Sequence, residues 1–190
     1  MKRGAPLKSK SVLKAKQPLK AKNSGLTRRS SSTKTLKKHR RGDPLEEWSV
    51  TELKKEATKH FNRAIKYRDS ERVEDKWVFD CITCGTPTLF CYIDDGVRRY
   101  VRTAHAGHFQ PETKNNTRYN EQNVNGQCGS CNYNQGEQYK YAKALDLKYG
   151  DGTADELEAL AQEKHPFTKE ELIDIINEYK EQVRFYEEQA

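Results

Sequence analysis

The sequence predicts an α+β fold, in which a small core of short strands is flanked by helices. Three observations lead to this expectation: apolar residues recur at helical spacing near both ends, strand-like runs surround a glycine-containing turn, and two Cys-x-x-Cys pairs stand 43 residues apart. Only 34% of the 190 residues are hydrophobic and 33% are charged. Because a domain with so few core-forming residues usually needs an additional cross-link, we expect a structural metal to stabilise it.

The first 42 residues form a basic arm. They hold 15 Lys and Arg and no Asp or Glu, whereas the remaining 148 residues carry a net charge of −8. The arm cannot bury enough apolar surface to offset its ordering entropy, so we expect it to be disordered. Nucleic acid is the favoured partner, held by contacts that weaken as salt rises, and a solubilising tail is the alternative. The candidate DNA-binding residues of the arm are Lys37, Lys38, Arg40 and Arg41.

A helix follows the arm and leads into short strands. An apolar stripe with a four-residue period predicts a helix over about 49–72. Its basic opposite face is either solvated or contacts DNA. We expect a strand over 77–79, then a hairpin of 88–93 and 97–103 joined by the turn 94–96. Residues 110–122 are polar and are expected to form a loop.

Three helices are predicted in the last third of the chain. The first covers about 131–149, where Tyr139, Ala142, Leu145 and Tyr149 recur at helical spacing. The second covers about 154–164. The third begins at Thr168 with a Thr-x-x-Glu capping box and carries an apolar stripe from Leu172 to Tyr186. We favour a helix that packs within the chain, and a dimerisation helix that makes a homodimer is the alternative.

The two cysteine pairs predict a structural zinc site. They are Cys81 with Cys84 and Cys128 with Cys131, and each spacing lets two thiolates converge on one metal. No segment approaches the roughly 20 apolar residues of a membrane span, so we expect a reducing cytoplasm, where such pairs bind metal rather than form disulfides. The alternative, a thioredoxin-like dithiol, expects one pair. Cys91 has no partner at this spacing and is expected to pack in a strand.

A histidine and two asparagines lie in register with these pairs. His108 is followed fifteen residues later by Asn123 and nine residues after that by Asn132, which directly follows Cys131. This pattern resembles the HNH endonuclease family in its zinc-bound form. In that family the segment folds as a β-hairpin and one helix around a divalent cation, the ββα-metal fold. The resemblance implies a phosphodiesterase.

Phosphodiester hydrolysis explains these residue types. It needs an aligned water and a cation that neutralises developing charge. A neutral imidazole at His108 is suited to take the proton of the water. The amide of Asn123 is expected to pin the hairpin loop and orient that imidazole, as in the family. The amide oxygen of Asn132 is expected to help ligate Mg²⁺ or Mn²⁺, which prefer oxygen ligands.

The chain departs from the family pattern at Gly107, where many members carry an Asp or His that ligates the cation. His105 is the best substitute. Because positions 105 and 108 of a straight strand face opposite ways, this role requires a bulge or bend at Gly107. Asn134 is a second candidate cation ligand. The alternative for His105 is an ordinary surface residue of the hairpin.

Four segments resemble the bacteriophage NinG (Rap) recombination family, and the resemblance covers about residues 46–188. The segments are Cys-Ile-Thr-Cys-Gly (81–85), Ala-Gly-His-Phe (106–109), Arg-Tyr-Asn-Glu-Gln-Asn (118–123) and Gln-Cys-Gly-Ser-Cys-Asn (127–132). The resemblance implies a structure-selective endonuclease for D-loops and Holliday junctions in the host bacterial cytoplasm, with phage recombination proteins as further partners. Arg118 matches a family Arg and is suited to contact the scissile phosphate; an ordinary surface charge is the alternative.

The expected organisation is therefore a basic arm over 1–42 and a helix-flanked nuclease domain over 43–190, with its core at 77–149. Two other function classes stay open. A zinc-stabilised nucleic-acid-binding module with a degenerate nuclease site is favoured by Gly107 and by an asparagine at position 132. An RNA-processing protein is the second, because phosphate contacts do not distinguish the two polymers.

Overall fold

The computed structural model describes residues 42–133 and 137–189, and these combine helices and sheets as the α+β prediction expects. The arm residues Lys37, Lys38, Arg40 and Arg41 and the candidate ligand Asn134 lie outside the described residues. Within the described ranges, no helix is both long and apolar enough to cross a membrane.

The first long helix, α1 (Val50–Arg68), begins with a capping box. The Ser49 hydroxyl accepts a hydrogen bond from the Glu52 amide, and the Glu52 carboxylate accepts one from the Ser49 amide. This reciprocal pair satisfies two of the amide groups that the first helical turn leaves without partners. The predicted end near residue 72 was wrong, because the helix stops at Asp69 and strand β1 (Glu71–Val73) follows at once.

A four-stranded antiparallel sheet contains β1, β2 (Lys76–Asp80), β3 (Pro87–Asp94) and β4 (Val97–Tyr100) in chain order. The predicted hairpin is β3 with β4. Asp95 and Gly96 connect these strands with φ angles of 48° and 74°, the left-handed pair that suits a two-residue hairpin turn. The second strand is shorter than predicted, since β4 ends at Tyr100. Cys91 is fully buried in β3, as expected.

A second hairpin carries the candidate site. Strand β5 (Ala104–His108) pairs antiparallel with β6 (Val124–Cys128), so that His108 lies opposite Val124 and Ala104 lies opposite Cys128. The connection between them was predicted as a polar loop. It contains one short helical segment, α2 (Asn115–Arg118).

Four helices follow the second hairpin in the part of the chain that the structure describes. They are α3 (Gly129–Tyr133), α4 (Gln138–Tyr149), α5 (Thr153–Leu160) and α6 (Lys169–Glu188). The stripe predicted for α4 was wrong at Tyr139, which is 69% exposed, whereas Tyr141 and Leu145 are buried. Tyr139 lies in the first turn of α4. Tyr141 is the first residue of this helix that belongs to the buried cluster against which the helix packs.

The apolar stripe of α6 packs against α1. Leu172 and Ile176 join Leu53 and Ala57 in one buried cluster. Tyr179 and Val183 join Phe61 and further residues of α1 in the main core. Full burial of one such aliphatic or aromatic side chain contributes about 1.5–3 kcal/mol. The stripe is therefore used within the chain, as the favoured interpretation of this helix expected.

Candidate active site and metal centre

The two cysteine pairs are held together by the strands that carry them. The first pair lies in the turn between β2 and β3, and the second lies where β6 passes into α3. The Ile82 amide donates a 2.9 Å hydrogen bond to the Gly126 carbonyl, and the Gln127 side-chain amide donates a 2.6 Å bond to the Thr83 hydroxyl. The turn of the first pair is thus fixed to β6 immediately before the second pair.

The four sulfur atoms form a cluster that can hold a metal ion such as zinc. All four lie within 4.8 Å of one another, and the Sγ atoms of Cys84 and Cys128 are 3.8 Å apart. Tetrahedral zinc with bonds of about 2.3 Å places its sulfur ligands about 3.8 Å apart, so the donor set and the spacing both fit. Hydrogen bonding to Thr86 lowers the pKa of Cys84 to about 6. This lowering favours the thiolate, the form that binds metal.

His108 ends β5, and its side chain is only 8% exposed. Its Nε2 atom lies 3.2 Å from the carbonyl oxygen of Arg118. Since a carbonyl only accepts, Nε2 must carry the hydrogen, which leaves the lone pair on Nδ1. Burial is the main cause that lowers the pKa of His108 below its usual value. The lowered pKa favours the neutral imidazole, in which Nδ1 can accept a proton.

Asn123 is fully buried and pins both ends of the loop between the two strands. Its Oδ1 atom accepts a 2.7 Å bond from the Gln110 amide, while Nδ2 donates to the Gln110 carbonyl at 3.0 Å and to the Thr117 carbonyl at 2.9 Å. Thr117 directly precedes Arg118, whose carbonyl holds His108. Asn123 is thus connected to the imidazole of His108 through the loop backbone, and its role in orienting that ring stays a prediction.

His108 and Asn132 line the same cavity, which has a volume of about 500 Å³. The structure therefore brings the predicted base and one predicted cation ligand together. Amide side chains and one carboxylate make up much of the polar wall. The polar side chains of the wall other than His108 and Asn132 include Gln110, Gln127, Glu137 and Gln138.

His105 does not share this placement. Strands β5 and β6 pair in unbroken register through Gly107, which lies opposite Asn125, so the bulge that the sequence argument required was a wrong expectation. Regular pairing leaves His105 and His108 on opposite faces of the hairpin. The His105 ring packs edge-on against Tyr133 at 5.1 Å, and its Nε2 is buried with no hydrogen-bond partner among the described residues. A cation shared by both histidines therefore lacks the geometry it needs.

The guanidinium of Arg118 is already engaged within the chain. It donates to the Glu112 carbonyl at 2.6 Å, to the Glu112 carboxylate at 3.1 Å and to the Thr58 hydroxyl at 3.1 Å. These contacts close the loop after β5 and attach it to α1. A contact between Arg118 and the scissile phosphate stays a prediction. The hydrogen bonds to Glu112 and Thr58 compete with such a contact, because they use the same guanidinium nitrogens.

Much of the basic face of α1 is also used internally. The Arg63 guanidinium lies 4.5 Å from the ring centroid of Tyr100, and Lys66 Nζ lies 4.7 Å from that of Phe90. Burial lowers the pKa of Lys66 to about 8. Arg68 donates to carbonyl oxygens just before and within β6. This part of the face packs against the second hairpin and the four-stranded sheet rather than lying free for DNA.

Two residues near His108 were not found by sequence reasoning. The buried Tyr141 hydroxyl donates a 2.7 Å bond to the carbonyl of Gly107, and the Glu112 carboxylate lies 4.0 Å from His108 Nδ1. Tyr141 lies four residues before the buried Leu145 of α4. An apolar stripe assigned through Tyr141 instead of Tyr139 would have identified it. Glu112 lies in an irregular loop and gives no periodic signal.

The family model described as Bacteriophage Lambda NinG protein matches residues 5–189 of the chain. No curated protein and no solved structure matches it.

Proposed function

The chain belongs to the family of the bacteriophage Lambda NinG protein, and we propose that it is a metal-dependent endonuclease that hydrolyses phosphodiester bonds in branched DNA. The observation that carries the proposal is the state of His108. Its Nε2–H is bound to a backbone carbonyl, which leaves Nδ1 as the nitrogen that can act as a base, and the residue lines a cavity that Asn132 also lines. A base held in one tautomer next to oxygen donors is what hydrolysis of a phosphodiester needs.

In the proposed reaction, His108 Nδ1 takes a proton from the attacking water. Nε2–H stays on the Arg118 carbonyl, so the ring does not turn as its charge changes. Asn123 holds that carbonyl in place through Thr117, and Tyr141 holds the end of β5 through Gly107. A divalent cation, Mg²⁺ or Mn²⁺, supplies charge neutralisation at the phosphate, and Asn132 is the described residue placed to help hold it.

The proposed substrates are D-loops and Holliday junctions, because the family resemblance implies recombination intermediates. The basic arm supports a nucleic-acid substrate, since its 15 positive charges supply sequence-independent affinity for phosphate. Phage recombination proteins are the proposed protein partners. Paired cuts at a four-way junction favour a homodimer.

A zinc-stabilised DNA-binding module without nuclease activity is the second candidate. It is favoured by Gly107, which supplies no cation ligand, and by the regular strand that keeps His105 on the other face. In that case the four cysteines stabilise a fold that binds branched DNA and leaves it intact.

Cleavage of labelled DNA separates the two candidates. Branched and linear duplexes are incubated with the zinc-loaded protein, with and without Mg²⁺ or Mn²⁺, using wild type, His108→Ala and the control His165→Ala, which changes a histidine between α5 and α6. Metal-dependent cutting of branched DNA by wild type and the control, lost in His108→Ala with binding retained, supports the nuclease. Binding without cutting supports the second candidate, and cleavage confined to RNA hairpins contradicts both.

A further inference from the structure

The carboxylate of Glu112 is shared between Arg118 and His108. Its Oε2 atom lies 3.1 Å from Arg118 Nη2, and its Oε1 atom lies 4.0 Å from His108 Nδ1. Arg118 also donates to the main-chain carbonyl of Glu112, so Arg118 holds Glu112 at two points, the backbone and the carboxylate. One of its oxygens is therefore used by the guanidinium, and the other faces the nitrogen that carries the free lone pair.

The distance between His108 Nδ1 and Glu112 Oε1 suits a water molecule that bridges the two atoms. At 4.0 Å it is too long for a direct hydrogen bond, and both atoms are acceptors in the neutral site. A water that donates one hydrogen to each acceptor over about 2.8 Å separates them by about 4.4 Å, close to the distance found here. Both hydrogens of such a water are occupied, so its oxygen lone pairs point away from the protein.

We infer that Glu112 is the positioning partner of His108 in the proposed nuclease: it orients the water that His108 deprotonates and then faces the imidazolium. This inference rests on the proposed function. The water gives one proton to Nδ1, its oxygen forms a bond to phosphorus, the bond from phosphorus to the leaving sugar oxygen breaks, and that oxygen takes a proton from solvent. Glu112 keeps its negative charge throughout.

Glu112 and Arg118 are the charged groups that face the imidazole. For this arrangement to work, the attraction of the Glu112 carboxylate for the imidazolium must exceed the repulsion by the Arg118 guanidinium. Glu112 raises the pKa of His108 and Arg118 lowers it, with the carboxylate the stronger of the two, although burial still leaves the pKa below its usual value. The charge that develops on His108 is thus met by a carboxylate whose own position is fixed by Arg118.

The matched substitutions are Glu112→Gln and Glu163→Gln. Glutamine keeps the length of Glu112 and can still accept from Arg118, but it removes the charge. Glu163 accepts a 3.2 Å bond from the Asn116 side chain and so contacts the same loop without reaching His108. The His108 pKa is measured by NMR titration of the zinc-loaded protein without DNA, and the cleavage rate is measured across pH.

We expect Glu112→Gln to lower the His108 pKa further, because the imidazolium loses the carboxylate that faces it. We expect turnover to fall roughly tenfold to hundredfold, with wild-type DNA binding. Glu163→Gln should leave both values unchanged. An unchanged His108 pKa in Glu112→Gln, or unchanged turnover, overturns the inference even if the nuclease stands. If wild type cuts no DNA, the role in turnover is overturned together with the proposed function, whereas the titration still decides whether Glu112 and His108 are paired.

Discussion

The side chain of Gln127 crosses Gly107 so closely that a β-carbon at position 107 would lie 1.8 Å from Gln127 Oε1. Gln127 cannot easily swing aside, because it is buried and its amide nitrogen is bonded to Thr83 in the turn of the first cysteine pair. Gly107 is therefore needed for a close approach between neighbouring strands. The space beside Gly107 is filled by a side chain that is hydrogen-bonded to the turn of the first cysteine pair.

Restoring a side chain at position 107 should therefore destabilise the protein rather than improve it. We expect Gly107→Ala to lower the free energy of unfolding by roughly 1–3 kcal/mol through overpacking. Gln127→Ala should remove the clash, so the double variant should lose less than the sum of the two single variants. Chemical denaturation of the four proteins in a double-mutant cycle measures this, and strict additivity would refute the contact.

Loss of one cysteine ligand should release the metal and unfold the second hairpin. Because a zinc site contributes its binding free energy to folding, we expect Cys84→Ser to lose stoichiometric zinc and cooperative unfolding. Cys91→Ala is the control, since Cys91 is buried in β3 away from the cluster and should leave the zinc content unchanged. Zinc analysis and thermal melts give the result. A Cys84→Ser protein with full zinc content would show that the cluster does not bind metal through this thiolate.

The protonation of His108 predicts both a tautomer and a pH profile. Nitrogen-15 NMR should find the hydrogen on Nε2, because the Arg118 carbonyl accepts from it. A general base works when deprotonated, and burial lowers the pKa of His108. The rate should therefore rise with pH through a pKa below the usual histidine value of about 6.5 and be level above it. A hydrogen on Nδ1 in the neutral protein would contradict the assignment.

The basic arm should govern the salt dependence of DNA binding. Deleting residues 1–42 removes 15 positive charges. Since each phosphate neutralised by Lys or Arg releases counterions, we expect weaker binding and a flatter slope of log K against log salt. Binding titrations at several salt concentrations measure this slope for both proteins. Equal slopes would mean that the arm does not touch phosphate.

Sequence patterns found the parts of this site that depend on spacing along the chain. The cysteine pairs were identified from their Cys-x-x-Cys spacing, and His108, Asn123 and Asn132 were identified because their spacing relative to those pairs resembles a family motif. The roles of Gly107 and Glu112 depend instead on contacts that spacing does not encode. Gly107 is explained by a cross-strand neighbour, and Glu112 by a loop that Asn123 and Arg118 fold back toward β5. The bulge at Gly107 was mispredicted because a glycine that permits close packing and one that bends a strand look alike in sequence.

Two fully buried asparagines, Asn123 and Asn125, test the electrostatics of the site most directly. They stand two residues apart, but their surroundings have opposite polarity. Asn123 Nδ2 donates to two carbonyl oxygens, whereas Asn125 Oδ1 accepts from Arg68, Lys148 and Tyr149. A carboxylate at position 123 would face carbonyl oxygens, whereas one at position 125 would face two cations that already pair with Asp69.

The same substitution should therefore have unequal effects at the two positions. We expect Asn123→Asp to lower the free energy of unfolding by roughly 2–4 kcal/mol, because a buried carboxylate would replace two donated hydrogen bonds. Asn125→Asp loses two donated bonds, to the Gln122 carbonyl at 2.9 Å and to the Tyr141 hydroxyl at 3.4 Å, but gains attraction to Arg68 and Lys148, so its cost should be smaller, about 1–2 kcal/mol. Denaturant unfolding at pH 7 of both variants provides the measurement. Equal destabilisation would mean that volume and burial, rather than the polarity of the surrounding groups, determine the tolerance of this loop.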